Sequence, residues 1–172
     1  DGAFEGMESM VSVTIPKSVT TIEDGAFNGC TGLTSITLPD SVTKIPAGCF
    51  QGCSSLQEIK LGSQVTEIGD MAFALCTSLE TFTFPETVTA VGLKLFFGCA
   101  KLQEVTLPES LTTLGTQMFF SCPALESITI PASVEDVGVM AFSGCTGLKE
   151  IVVADGNEYF TVHEGALFDK NL

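Results

Sequence analysis

Leu33-Thr34-Ser35-Ile36-Thr37-Leu38-Pro39 decides the fold, because its apolar spacing returns every 23 residues from Met10 to Leu148. A unit of this size cannot bury its own apolar face, so successive copies must stack on one another. Six complete units open at Met10, Leu33, Leu56, Leu79, Leu102 and Leu125, and a seventh opens at Leu148. Upstream, Gly2-Ala3-Phe4-Glu5-Gly6-Met7 repeats the pattern of Gly25-Ala26-Phe27-Asn28-Gly29-Cys30 one period earlier and reads as the tail of a preceding repeat. The expected organisation is a single solenoid over 1–172, with a partial repeat at 1–9, full repeats over 10–147, and a terminal partial repeat with a hairpin over 148–172. The chain opens at Asp1 rather than Met and stops mid-pattern at Leu172, which suggests a segment of a longer or processed protein.

Each unit starts with alternating apolar and polar residues, as at Leu125, Ile128 and Ile130, which predicts a short strand. Pro16, Pro39, Pro85, Pro108 and Pro131 end it, with Gly62 in the third unit, since proline lacks the donor a ladder needs. Identical spacing in one direction predicts a parallel sheet with strands about 4.8 Å apart. A second apolar pair, Val42 with Ile45 or Val134 with Val137, marks a brief extended segment on the opposite side.

Phe4, Phe27, Phe50, Phe73, Phe96, Phe119 and Phe142 follow at one-period intervals and should stack as the spine of the core. The residue before each is usually small or flexible (Ala26, Cys49, Ala72, Met118, Ala141), which predicts a tight helical turn against the stack. Three residues beyond each ring from Phe27 on stands a cysteine: Cys30, Cys53, Cys76, Cys99, Cys122 and Cys145. Zinc sites use ligands paired at short spacing, and a 4.8 Å strand separation exceeds the usual disulfide Cβ distance of about 3.8 Å. Buried free thiols are therefore expected, and neither a metal nor a cofactor is.

The net charge of −14 arises from 21 acids against seven lysines, and the chain contains no arginine. Phosphate backbones need clustered cations, so nucleic acid is excluded as a partner, and anionic membranes are disfavoured. No apolar run is long enough to cross a bilayer, so membrane insertion by this segment is not expected. The last stretch, Val153 to Lys170, carries the turn signals Asp155-Gly156 and Glu164-Gly165 between short extended pieces and predicts a terminal hairpin.

These columns resemble the BspA-like (Treponema pallidum type) leucine-rich repeats, L-x-x-I-x-L-P-x-S-V-T-x-I-G-x-x-A-F-x-x-C. The unit Leu125 to Gly147 carries most of that pattern, and Asn157-Glu158-Tyr159-Phe160 with Glu164-Gly165-Ala166-Leu167-Phe168 is similar to the family's interrupting hairpin. The resemblance implies an α/β repeat solenoid: a right-handed horseshoe with its parallel β-sheet on the concave side, and short turns of helix and minor extended segments on the other. It also implies a bacterial surface or secreted location and binding of host or neighbouring-cell macromolecules. It supplies no catalytic residues.

Two surfaces are candidates for binding. The outward columns of the sheet hold Ser35, Thr37, Glu58, Lys60, Thr81, Thr83, Glu104, Thr106, Ser127, Thr129 and Glu150, either a recognition face or simply a polar strand surface that keeps like charges apart. The second is apolar: Met71, Leu75, Leu93, Phe97, Phe120, Val139 and Met140 form either a thicker core or an exposed patch for a partner or a sister copy. An enzyme reading is weak. His163 is the lone histidine, and alternate glutamates about 9.6 Å apart fall near an inverting glycosidase pair's separation of roughly 6.5–9.5 Å, but on an open sheet without a cleft. Asp155-Gly156-Asn157-Glu158 lacks full calcium-loop spacing and reads as a turn. The expected function is a non-enzymatic, adhesion-like module for a protein or glycan ligand. The alternative is a structural spacer, and a hydrolase is a distant third.

Overall fold

The computed structural model describes residues 2–170, so the hairpin boundary placed at Leu172 lies outside the described residues. The strands, numbered in chain order, alternate between two faces. The longer ones are β1 (Ser35–Thr37), β3 (Glu58–Lys60), β5 (Thr81–Thr83), β7 (Glu104–Thr106), β9 (Ser127–Ile130) and β11 (Glu150–Val153). Two-residue strands lie between them: β2 (Lys44–Ile45), β4 (Glu67–Ile68), β6 (Ala90–Val91), β8 (Thr113–Leu114) and β10 (Asp136–Val137). The pairing is parallel, with residues one period apart as partners, for example Ser35 with Glu58 and Glu67 with Ala90. Each turn of chain is thus one rung of a parallel-strand solenoid.

The sheets are less continuous than the repeat predicts. On the long-strand face β1 pairs with β3, β5 with β7 and β9 with β11, and the ladder is interrupted between β3 and β5 and between β7 and β9. The short-strand face divides once, between β6 and β8. The first interruption adjoins the rung that carries Phe82 and Phe84, whose rings wedge against Phe73 and Phe96 at centroid distances of 4.9–6.1 Å.

The turn side differs more sharply from expectation. Among the described residues no helix forms, so the predicted helical turns are replaced by another arrangement. The N–H groups of Gly25, Phe27 and Gly29 donate to the carbonyls of Ala47, Cys49 and Gln51 in the next rung at 2.8–2.9 Å. Those of Ala26, Asn28 and Cys30 instead donate three residues back, closing tight turns. An α-helix needs every N–H directed four residues back along its own segment, which this alternation forbids. The alternation is set by left-handed backbone every fourth residue, Gly25 at φ 62° and Gly29 at φ 69°. The same cross-rung triplet recurs without interruption from Gly2 to the Ser121–Ser143 bond.

Beneath this ladder the seven phenylalanines stack as predicted, with neighbouring centroids 5.1–5.8 Å apart and planes within 14°. The five inner rings, Phe27 to Phe119, are almost wholly buried. Each could contribute about 2 kcal/mol by burial. All seven cysteines are free and buried. The six ladder thiols also donate, each to the carbonyl of the phenylalanine 26 residues earlier, as from Cys76 Sγ to Phe50 O at 3.2 Å. They therefore tie rung to rung as well as filling space.

The predicted hairpin is present as antiparallel β12 (Phe160–His163) and β13 (Ala166–Asp169). Asn157, buried, bolts it to the stack. Its Nδ2 donates to Pro131 O and Val134 O, both at 2.9 Å, while its Oδ1 accepts the N–H groups of Tyr159 and Phe160. Lys170 Nζ donates to the Asn157 carbonyl at 2.6 Å.

Candidate recognition faces

The pleat of the long strands sends alternate side chains outward, so Ile36, Phe82, Val105 and Ile128 are buried between exposed neighbours. All eleven outward residues expected on this face are exposed: Ser35, Thr37, Glu58, Lys60, Thr81, Thr83, Glu104, Thr106, Ser127, Thr129 and Glu150. Register places Ser35 beside Glu58, Thr81 beside Glu104 and Ser127 beside Glu150, so each strand pair sets a carboxylate against a hydroxyl. Lys60 Nζ lies 3.1 Å from Glu58 Oε1 on its own strand, an exposed pair of small energetic weight. The two interruptions of the ladder coincide with open grooves. The larger, about 720 Å³, runs between β3 and β5 and is walled by Glu58, Lys60, Thr81, Thr83 and Glu86; the smaller, about 320 Å³, lies between β7 and β9 beside Glu104, Thr106 and Thr129.

The apolar candidates lie on the turn side, and the structure resolves the choice between core and surface residue by residue. Met71, Leu75, Leu93, Val139 and Met140 are exposed, Val139 to 71%. Phe97 and Phe120 are half-buried and stack at 5.2 Å, with planes 3° apart. Lys94 Nζ sits 5.9 Å from the Phe97 centroid, and Gln117 Nε2 is 3.8 Å from Met140 Sδ. Neither Lys94 nor Gln117 is apolar, so a hydrophobic pattern could not include them. Asp70 Oδ1 accepts the N–H of Leu93 at 2.8 Å, as Asp24 Oδ1 accepts that of Ala47 at 3.2 Å. Such carboxylates complete the backbone of the next rung.

Among the described residues, the candidate catalytic groups are not brought together. His163 is exposed in the hairpin, with Glu164 at 4.0 Å and the Phe168 ring at 6.5 Å. Burial pushes the thiols of Cys53 and Cys122 up to about 12 and those of Cys76 and Cys99 well above the ordinary range, so none is a ready nucleophile near neutral pH. Among the described residues no cluster of three or more metal-ligating side chains forms, and Asp155-Gly156-Asn157-Glu158 is a turn closed by Asn157 N–H to Ala154 O. Asp40 accepts both the N–H and hydroxyl of Ser63, at 2.7 and 3.0 Å, which hold its carboxyl below the usual range.

A family model described as the BspA-type leucine-rich repeat region matches residues 1–92 and 67–169. Among solved structures, the chain is similar to a leucine-rich repeat protein from Bacteroides ovatus ATCC 8483, with 34% identity and a TM-score of 0.85 over 92% of this chain and 41% of that one. It is also similar to the T. pallidum leucine-rich repeat protein, with 32% identity and a TM-score of 0.79 over 83% of this chain and 69% of that one. A third likeness is a leucine-rich cell surface protein from Faecalibacterium prausnitzii A2-165, with 30% identity and a TM-score of 0.72 over 94% of this chain and 52% of that one. The chain thus spans less than half of the B. ovatus protein. None of the curated proteins matches it.

Proposed function

Because the chain belongs to the BspA-type leucine-rich repeat family, we propose that it is a non-enzymatic recognition module, holding a protein or glycan ligand against its long-strand face, on a bacterial surface or secreted protein. The observation that carries this reading is the in-register array of exposed hydroxyls and carboxylates on β1 to β11, with two grooves cut into it. Threonine and serine offer hydrogen bonds at low ordering cost, and Glu58, Glu104 and Glu150 select against acidic ligands while steering basic ones. The long-strand face is the concave side in this reading. The F. prausnitzii relative, described as a cell surface protein, supports the location.

The test is saturable binding of the intact protein to immobilised matrix proteins and glycans, repeated with Glu104→Lys and Thr106→Lys combined. Weakened binding with unchanged unfolding is the expected result. If no surface in such a panel is bound saturably, the second reading, a stiff spacer, gains ground, and the unbroken bonding of the turn side already favours stiffness.

A further inference from the structure

The left-handed positions of the turn ladder fall in two columns. Gly25 and Gly48 continue into Met71, Lys94, Gln117 and Met140, while Gly29 and Gly52 continue into Leu75, Gly98, Ser121 and Gly144. Every non-glycine residue there is held at φ between 53° and 61°, a conformation that a side chain makes costly. Glycine serves the same backbone in the first rungs, so the fold does not require Met71, Leu75 or Met140. These three are also exposed. Strained backbone that points apolar side chains into solvent is a signature of a site rather than of packing.

We propose that the strip formed by Met71, Leu75, Leu93, Phe97, Val139 and Met140 is a second docking surface, and that its occupant is a cationic amphipathic peptide segment of a partner. It is separate from the long-strand face and does not depend on that reading. The length fits: four rungs at about 4.8 Å span roughly 15–19 Å, about three turns of helix. The apolar stripe of such a helix seats on methionines, whose flexible thioethers adapt to varied shapes. Charge sets the sign of the partner. Asp70 and Asp136 lie in the chain just before residues of the strip, Glu67 is paired with Lys44 at 2.6 Å, Lys94 adds a cation beside Phe97, and the excess of acid is that of the whole chain, −14. A positive ligand is therefore steered in, whereas a second copy brings a charge of −14 and is repelled.

The protein has no tryptophan, so a single tryptophan in the peptide reports binding. The probe is an amphipathic Leu/Lys peptide of about 14 residues, compared with its Leu/Glu counterpart and with a scrambled Leu/Lys sequence. Saturable binding of the ordered Leu/Lys peptide alone is expected, weakened about tenfold or more by the combined Met71→Gly, Leu75→Gly and Met140→Gly variant. The Glu104→Lys and Thr106→Lys variant should bind it with the wild-type dependence on ordered apolar spacing. Far-UV circular dichroism checks the glycine variant, and Val139→Ser with Met140→Ser serves if it is not folded. Equal binding by the strip variants, or equal binding of the scrambled peptide, overturns the proposal. So does a dimer in sedimentation that the glycine substitutions dissolve, which would make the occupant a second copy.

Discussion

Along the turn side, three backbone bonds cross each rung boundary from Gly2 to Ser143, with a phenylalanine stack directly beneath them. Along the long-strand side of the same rungs, strand pairing is interrupted between β3 and β5 and again between β7 and β9, where the Glu126 N–H to Gln103 O bond at 3.4 Å is the one backbone bond among the described residues. The contrast teaches that the stiffness of this solenoid comes from its turns. The strands carry exposed side chains that hold little of the structure, so their identities are free to serve a ligand.

The largest effect that could break this contrast is alkaline. Burial holds the thiols of Cys49, Cys53, Cys76, Cys99 and Cys122 far above their unfolded value, all on the turn side. The folded chain keeps protons there that the unfolded chain releases, so this stability is complete below the unfolded pKa and is lost as pH rises toward the folded ones. One pH unit above an unfolded value of about 8.5, five thiols together should remove roughly 7 kcal/mol. Urea midpoints at pH 7.5 and 9.5 measure it. A flat profile would mean that the turn side admits solvent as freely as the strand side.

Next comes a direct pairing of the two sides. Phe73→Ala opens a cavity between two stacked rings and should cost about 3–5 kcal/mol, whereas exposed Thr83→Ala on β5 should fall within about 0.5 kcal/mol of wild type. Comparable losses in equilibrium unfolding would erase the distinction. At the hairpin, Asn157→Ala strands two N–H groups and two carbonyls and should cost about 2–3 kcal/mol, read in the same experiment. An effect below about 0.5 kcal/mol would leave the hairpin held by its apolar contacts alone. The smallest change should be a gain. Ser121 is exposed at φ 60° between Gly98 and Gly144 in its column, so Ser121→Gly relieves backbone strain and should add about 0.5–1 kcal/mol. A loss instead would show that the left-handed turn is not strained.

Much of this is legible in the residues. A 23-residue register that never slips fixes the stacking, and the phenylalanine and cysteine columns fall where their spacing puts them, since each identical step returns a side chain to the same place. The turn conformation was obscured for a specific reason. Glycine at Gly25, Gly29, Gly48 and Gly52 signals left-handed backbone every fourth residue, but Met71, Lys94, Gln117 and Met140 hide the column further along, and small residues before most of the rings mimic a helix. The same masking left the apolar strip ambiguous, because exposure depends on a backbone angle that composition does not encode. The interrupted sheet was not readable either, since the repeat keeps one register across both breaks, although the first adjoins the rung that carries Phe82 and Phe84. Asn157 could have been found as an asparagine heading Tyr159-Phe160, a position suited to bonding its own backbone two residues on.

The uneven stitching has a mechanical consequence. A rod tied through on one side and notched on the other bends by opening or closing its notches, pivoting about the tied side. Its curvature should therefore be compliant in one plane and stiff in the perpendicular one, and the spacing between β3 and β5 should change most as the arc tightens. A ligand spanning that groove would set the radius of the whole arc, and small-angle scattering with and without the ligand would register the change in breadth.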